Sequence, residues 1–133
     1  MSNNVIERAI ETIRLKSQGA CGEIDSFVTI NFHPDRFTKD NVPLLVAIAE
    51  AGCLKSQFET GTSNGGLSAF SGGERWLWEQ RVFDGAYDNA ANALRPKYGA
   101  LNFRHYEMGA SPRFGSAHFQ LKPHVLTRTT FCY

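Results

Sequence analysis

The sequence carries almost no net charge and has no long apolar run. Its 14 basic and 13 acidic residues leave a formal net charge of +1, so no broad field attracts a polyanion or an anionic membrane. No apolar stretch approaches the roughly 20 residues that a membrane-spanning helix needs. The first segment begins polar and contains Glu7 and Glu11, which excludes a signal peptide. We therefore expect a cytoplasmic protein that does not enter membranes and that binds nucleic acid only through some local basic patch.

Cysteine is scarce and is not arranged for chemistry. The three cysteines, Cys21, Cys53 and Cys132, are tens of residues apart, and their odd number argues against a disulfide framework. Neither they nor the four histidines show the close pairing that is typical of zinc ligands. We therefore predict no metal site, and we interpret the cysteines as reduced thiols that pack as small apolar side chains.

The composition is that of an ordinary folded domain. With 42% hydrophobic and 20% charged residues, the chain of 133 residues lies far from disordered sequences and can bury a core without crosslinks. Hydrophobic periodicity predicts helices at residues 4–17, 44–51, 74–83 and 87–94, and strands at residues 27–32, 54–59, 98–103, 114–121 and 129–133. Because strands follow one another late in the chain, we predict an α+β fold with a mixed or mostly antiparallel sheet and with N-terminal and central helices.

The strand predicted at residues 27–32 leads into the first candidate site. Its apolar residues Val28, Ile30 and Phe32 are expected to face the core, which leaves the alternate polar residues and His33 on the opposite face. A turn after a strand holds side chains firmly and leaves them open to a ligand. There His33 could donate a hydrogen bond to a ligand, and Arg36 could bind a phosphate. The alternative is an ordinary turn with a solvated imidazole.

The second candidate site is the segment QFETGTSNGG, residues 57–66. Its glycines let the backbone approach a ligand, and the amides and side chains of Thr62, Ser63 and Asn64 could surround an anion or a ribose. The segment lacks the lysine of a phosphate loop and the glycine spacing of a dinucleotide fingerprint. Glu59 is a candidate general base at its edge. The alternative is a flexible or structural loop with Glu59 facing solvent.

Two later segments form the third candidate site. RPKYG (residues 95–99) and SPRFGS (residues 111–116) each place a cation beside an aromatic residue and a glycine at the start of a predicted strand. Tyr98 and Arg113 could therefore contact a ring or a phosphate at a sheet edge. The alternative is that each glycine only permits close backbone packing where a strand begins.

Two tryptophans offer a different kind of function. Trp76 and Trp78 are two positions apart, so a helix cannot bury both on one face. We expect one of them in the core and the other partly exposed. An exposed tryptophan on a helix suggests a non-catalytic domain that docks a protein partner, which is the alternative to a small-molecule nucleotide as the partner.

Several long motifs carry a family resemblance. VTINFHPDR, SQFETGTSNGG, GGERWLWEQRVFDGAY, RPKYGALN and SPRFGSAHFQLKPHVLTRTTF occur in this order within residues 26–133. Together they resemble an uncharacterised bacterial family, domain of unknown function 3626. The resemblance implies a family-like α+β domain at residues 26–133, and the helix predicted from periodicity makes residues 1–25 an N-terminal helix that precedes it. Its members look longer, so this chain is expected to lack their C-terminal portion.

A second likeness is to ADP-ribosyltransferases, which place an Arg or His on an early strand, a Ser/Thr motif on a later strand and a catalytic Glu near the end of the fold. His33 or Arg36 and Thr62-Ser63 stand in the first two roles. No Q-x-E or E-x-E follows Phe114, so the glutamate lies outside this sequence or Glu59 replaces it. The likeness implies an incomplete ADP-ribosyltransferase-like fold and NAD as the substrate. Combined with the candidate sites, it predicts Glu59 as the catalytic residue and His33, Arg36, Thr62, Ser63, Asn64, Tyr98 and Arg113 as NAD-binding residues.

Overall fold

The computed structural model describes residues 2–17, 25–38, 40–60 and 68–131. Its elements are helices α1 (Ser2–Lys16), α2 (Leu44–Ala51), α3 (Gln57–Thr60) and α4 (Glu74–Val82), strands β1 (Val28–Phe32), β2 (Ala100–Leu101) and β3 (Ala117–Gln120), and 3-10 helices at Asn92–Leu94, Pro112–Phe114 and Pro123–Arg128. The described strands form one antiparallel sheet in the order β2-β1-β3. The predicted α+β fold class, with N-terminal and central helices and an antiparallel sheet, is therefore confirmed.

The chain forms two compact units, and each is assembled from separate stretches of sequence. The first, which we call the helical unit, consists of Met1–Cys21, Lys55–Lys97 and Arg128–Tyr133. The second, which we call the sheet unit, consists of Gly22–Leu54 and Tyr98–Thr127. Helices α1, α3 and α4 belong to the helical unit, whereas α2 and the three strands belong to the sheet unit.

The core of the helical unit forms around α1 and the turns that follow α4. Its buried members are Ala9, Phe83, Ala86 and Tyr87, and the half-buried residues packed against them are Val5, Ile13, Trp78, Val82 and Ala90. The residues that α1 contributes recur every four positions, which is the period of an amphipathic helix. The Phe83 and Tyr87 rings meet edge to face with their centroids 5.1 Å apart, a favoured aromatic geometry.

A lysine joins the C-terminal ends of α1 and α4. The ammonium group of Lys16 donates hydrogen bonds to the backbone carbonyls of Arg81 and Val82, at 3.2 and 2.9 Å, and to the carboxylate of Asp84 at 3.0 Å. Carbonyl groups in the last turn of a helix have no partner within the helix and attract cations. Lys16 therefore satisfies the end of α4 and fixes α1 against it.

The polar face of β1 is more deeply buried than its sequence predicts. Thr29 and Asn31 are only 1% and 5% exposed, whereas Ile30 and Phe32 on the other face are half-buried. Phe32 nevertheless stacks on Phe119 of β3, with ring centroids 4.8 Å apart. The polar face is buried because the loop between β2 and β3 covers it.

Several predicted elements differ from the structure. Residues 54–59, predicted as a strand, form an irregular stretch followed by α3. Residues 87–94 form turns and a short 3-10 helix instead of an α-helix, and β2 and β3 are shorter than predicted. The last predicted strand is wrong for residues 129–131, which are irregular, and residues 132–133 lie outside the described part. Short apolar runs fit strands and helices equally well, so local pattern alone misassigned these segments.

Candidate functional site

Strand pairing brings three segments together at the carboxyl end of β1. Phe32 pairs with Ala117, the first residue of β3, so the residues before β3 lie beside the residues after β1. Thr29 pairs with Ala100, the first residue of β2, so the chain before β2 approaches the same end. We call this region the β1 carboxyl end.

Four of the predicted ligand-binding residues lie in these three segments. His33 follows β1 directly, and Arg36 lies three residues further along. Tyr98 lies two residues before β2, and Arg113 lies in the 3-10 helix that precedes β3. The side chains of His33 and Tyr98 are half-buried, and those of Arg36 and Arg113 are exposed. The β1 carboxyl end therefore presents two accessible guanidinium groups together with an imidazole and a phenol ring.

A glycine makes the approach of Arg113 to this end possible. Gly115 has a φ of +145°, and a Cβ atom there would collide with the backbone carbonyl of Phe32. Its backbone therefore packs directly against the peptide group that joins Phe32 to His33. A side chain would prevent this contact, so the glycine is needed for close approach and not only for flexibility.

The buried polar face of β1 fixes the loop that carries Arg113. Asn31 Nδ2 donates hydrogen bonds to the backbone carbonyls of Met108 (2.8 Å) and Gly115 (3.1 Å). Asn31 Oδ1 accepts a hydrogen bond from the Ser111 amide (3.1 Å). Thr29 Oγ1 accepts one from the Ala110 amide (2.9 Å). Asn31 thus uses both halves of its amide on one loop. This positioning role of Asn31 is not among the sequence predictions, although an asparagine inside a strand, where asparagine is disfavoured, is a signal of it.

Glu59 has a structural partner in the helical unit. Its carboxylate accepts a hydrogen bond from the Ser56 amide at 2.6 Å, and the Glu59 amide donates to the Ser56 hydroxyl at 3.3 Å. This reciprocal pair is a capping box, which stabilises the start of α3. The Ser56 hydroxyl in turn donates to the carbonyl of Asn92 at 2.7 Å. The predicted catalytic role of Glu59 stays a prediction beside this structural one.

The other predicted residues of the glycine-rich segment lie outside the described residues. These are Thr62, Ser63 and Asn64. Glu59 belongs to the helical unit, whereas His33, Arg36, Tyr98 and Arg113 belong to the sheet unit. The predicted NAD-binding residues that the structure describes therefore all lie in the sheet unit.

A second polar cluster is buried in the helical unit. Arg95 Nη1 lies 2.7 Å from Glu79 Oε1, and these side chains are only 3% and 0% exposed. The other terminal nitrogen of Arg95 donates to the carbonyl of Tyr87 at 2.8 Å, and the guanidinium lies 4.2 Å from the centroid of the Phe58 ring. Burial, and then the negative charge of Glu79, raise the pKa of the Tyr87 phenol, while Arg95 opposes the shift.

The described residues contain neither a group of metal ligands nor a membrane-spanning helix. Within residues 2–17, 25–38, 40–60 and 68–131, no three His, Cys, Asp or Glu side chains are grouped so that they could hold a metal ion. In the same part of the chain, no helix has both the length and the apolar character that crossing a bilayer requires.

Comparison with known proteins identifies a family. A family model described as protein of unknown function (DUF3626) matches residues 27–133, which is most of the chain. No curated protein and no solved structure matches the chain significantly.

Proposed function

The chain belongs to the DUF3626 family, whose function is unknown, and we propose that it is an NAD-binding enzyme of the ADP-ribosyltransferase type. The observation that carries the proposal is the grouping of His33, Arg36, Tyr98 and Arg113 at the β1 carboxyl end. The three chain segments that carry these residues lie next to one another, because strand pairing fixes their backbone positions. Binding residues are commonly held on loops by a rigid scaffold of this kind.

The charges at this end suit a dinucleotide. The pyrophosphate of NAD carries two negative charges, and the guanidinium groups of Arg36 and Arg113 are exposed and can form paired hydrogen bonds to phosphate oxygens. Tyr98 offers a ring on which a base can stack, and His33 can donate to a ribose hydroxyl or an amide carbonyl. Each role matches one chemical group of the ligand.

The proposed reaction transfers ADP-ribose to an acceptor. The bond between the ribose carbon and nicotinamide breaks, nicotinamide leaves with the bonding electrons, and the acceptor forms the new bond while releasing its proton. Positive charge develops on the ribose in the transition state, and a carboxylate stabilises such a charge. From the sequence, Glu59 is the carboxylate predicted for this role, and the experiment on Glu59 below tests it independently of the β1 carboxyl end.

Removing either arginine is expected to weaken NAD binding by about 10- to 100-fold, because one charge-assisted hydrogen-bonding group contributes about 1.5–3 kcal/mol. Isothermal titration of Arg36→Ala and Arg113→Ala with NAD measures this. Arg104→Ala is the matched control, since Arg104 is exposed and follows β2, next to the amino end of β1. If the unmodified chain does not bind NAD, or if Arg104→Ala weakens binding as much as the other two, the proposal fails.

A second experiment separates the two roles of Glu59. Glu59→Gln keeps an oxygen that can accept from the Ser56 amide but removes the negative charge, so we expect nicotinamide release from NAD to fall by about 100-fold or more with little loss of stability. Ser56→Ala should show the reverse, a loss of about 1 kcal/mol in the free energy of unfolding with the carboxylate retained. Undiminished nicotinamide release by Glu59→Gln would assign Glu59 to the capping box alone.

A non-catalytic protein-interaction domain is the second proposal. Leu77, between the two tryptophans on α4, is 48% exposed, while Trp76 and Trp78 are half-buried. Trp78 packs against the Phe83 ring, with ring centroids 6.4 Å apart, so its replacement would also change the core. Leu77 is therefore the better residue to replace. If Leu77→Ser abolishes the binding of a protein partner and His33→Ala leaves that binding unchanged, docking through α4 replaces the enzymatic proposal.

A further inference from the structure

We infer that a cavity in the helical unit binds a single neutral heteroaromatic ring that carries amide or amino groups, as a nucleobase or nicotinamide does. The cavity has a volume of about 200 Å³. Pockets for drug-sized ligands span about 300–1,000 Å³, so this one has room for one ring system and not for a whole dinucleotide. Its lining includes Phe58, Ser71, Trp76, Asp88, Asn92 and Arg95. The inference does not depend on the β1 carboxyl end.

Aromatic side chains line the cavity. The Phe58 ring is buried, and the Arg95 guanidinium lies over it at 4.2 Å, which holds both groups in place. Trp76 is half-buried and lines the cavity, whereas Trp78 packs against the core of the helical unit. A planar ligand can stack on an indole or phenyl ring, and such stacking commonly supplies much of the binding energy for a base.

The charges of the lining favour a neutral ligand. Arg95 is the cation among the described residues of the lining, and Glu79 already balances it at 2.7 Å. Asp88 adds a carboxylate to the lining, and one of its oxygens accepts a hydrogen bond from the Gln80 amide at 2.9 Å. Among the described residues of the lining, an anion would therefore meet no uncompensated positive charge, and it would face the carboxylate of Asp88. This distinguishes the cavity from the β1 carboxyl end, whose guanidinium groups are exposed.

The polar groups of the lining can recognise the edge of such a ring. Asp88 supplies an acceptor, and the planar guanidinium of Arg95 supplies donors at a fixed angle. Two hydrogen bonds hold Asn92 in place. Its side-chain amide donates to the backbone carbonyl of Phe58 at 3.3 Å, and its backbone carbonyl accepts from the Ser56 hydroxyl at 2.7 Å. Fixed donors and acceptors beside an aromatic wall are the arrangement by which proteins read single bases.

Tryptophan fluorescence tests the inference directly, because each tryptophan can be isolated in turn. In Trp78→Phe the remaining indole is Trp76, in the cavity lining, and titration with adenine or with nicotinamide should quench it saturably. In Trp76→Phe the remaining indole is Trp78, and the same titrations should leave its emission unchanged apart from the linear inner-filter effect. The ring that binds more tightly identifies the source, a nucleobase or nicotinamide.

A blocking variant tests the location. Ser71 is exposed and lines the cavity, so Ser71→Leu should lower the affinity at least tenfold without removing a core side chain. Ser17→Leu, at an exposed position of the same unit, is the matched control and should bind normally.

Two results would overturn the inference. One is that neither ring quenches Trp76 at concentrations up to about 10 mM, which is near the weakest affinity expected for a ligand of this size. The other is that Ser71→Leu binds the ring as tightly as the unmodified chain does. Arg36→Ala and Arg113→Ala should leave quenching intact, so failure of the NAD proposal is distinguishable from failure here.

Discussion

Glu79→Ala is expected to lower the free energy of unfolding of the helical unit by about 3–5 kcal/mol, because it leaves the buried guanidinium of Arg95 without its counter-ion. The two side chains are almost completely shielded from water, so solvent cannot replace the lost partner. Chemical denaturation followed by tryptophan fluorescence measures the change, since Trp78 packs against the same core.

Two further variants separate the effect of a broken pair from that of a lost side chain. Glu79→Met combined with Arg95→Met removes both charges, and it should recover much of the lost stability because no isolated charge remains buried. Asp84→Asn removes one partner of the exposed Lys16–Asp84 pair, whose cost should stay below about 1 kcal/mol. If Glu79→Ala costs no more than Asp84→Asn, the buried pair does not stabilise the unit in the way described.

Gly115→Ala is expected to cost more than about 4 kcal/mol in the free energy of unfolding and to disrupt the β1 carboxyl end. The new Cβ would occupy the space of the Phe32 backbone carbonyl, which has no flexible end that could move aside. Hydrogen exchange should show lost protection in β1 and β3, and the proposed NAD binding should be lost with it.

Gly52→Ala is the matched control for this substitution. Gly52 caps α2 with a φ of +69°, but among the described residues beyond its chain neighbours no atom lies within 4 Å of the position that a Cβ would take. Its cost should therefore be the backbone strain alone, about 1–2 kcal/mol. Equal costs at both positions would show that backbone conformation, and not close packing against β1, makes Gly115 necessary.

Much of the fold was readable because several segments carry consistent local signals. The alternation around Val28 and Phe32 specified β1, and Pro43 and Gly52 bracketed α2 almost to the residue. The error at residues 54–59 has a local cause, since Ser56 and Glu59 have the spacing of a capping box, which indicates the start of a helix and not a strand. Information close in sequence was therefore sufficient where all signals agreed.

The candidate site was less predictable because it depends on pairing between distant segments. His33 and Arg36 could be selected from one turn, but their grouping with Arg113 follows from the register of β1 and β3, which no short window of sequence encodes. The Glu79–Arg95 pair was missed for the same reason, since Glu79 lies on α4 and Arg95 follows the 3-10 helix Asn92–Leu94, so that no local pattern pairs them. Long-range geometry was the missing information in both cases.

The interleaving of the two units has a consequence for how the chain folds. Thr29 and Ala100, which pair in the sheet, are 71 positions apart, and the stretch between them includes Lys55–Lys97, the largest part of the helical unit. Closing so long a loop is entropically costly, and contacts between distant segments form slowly. If Lys55–Lys97 collapses first, it shortens the free chain that β1 and β2 must close. Neither unit is one continuous stretch of sequence. Excising a single stretch would therefore leave out strands or helices that the core of that unit requires.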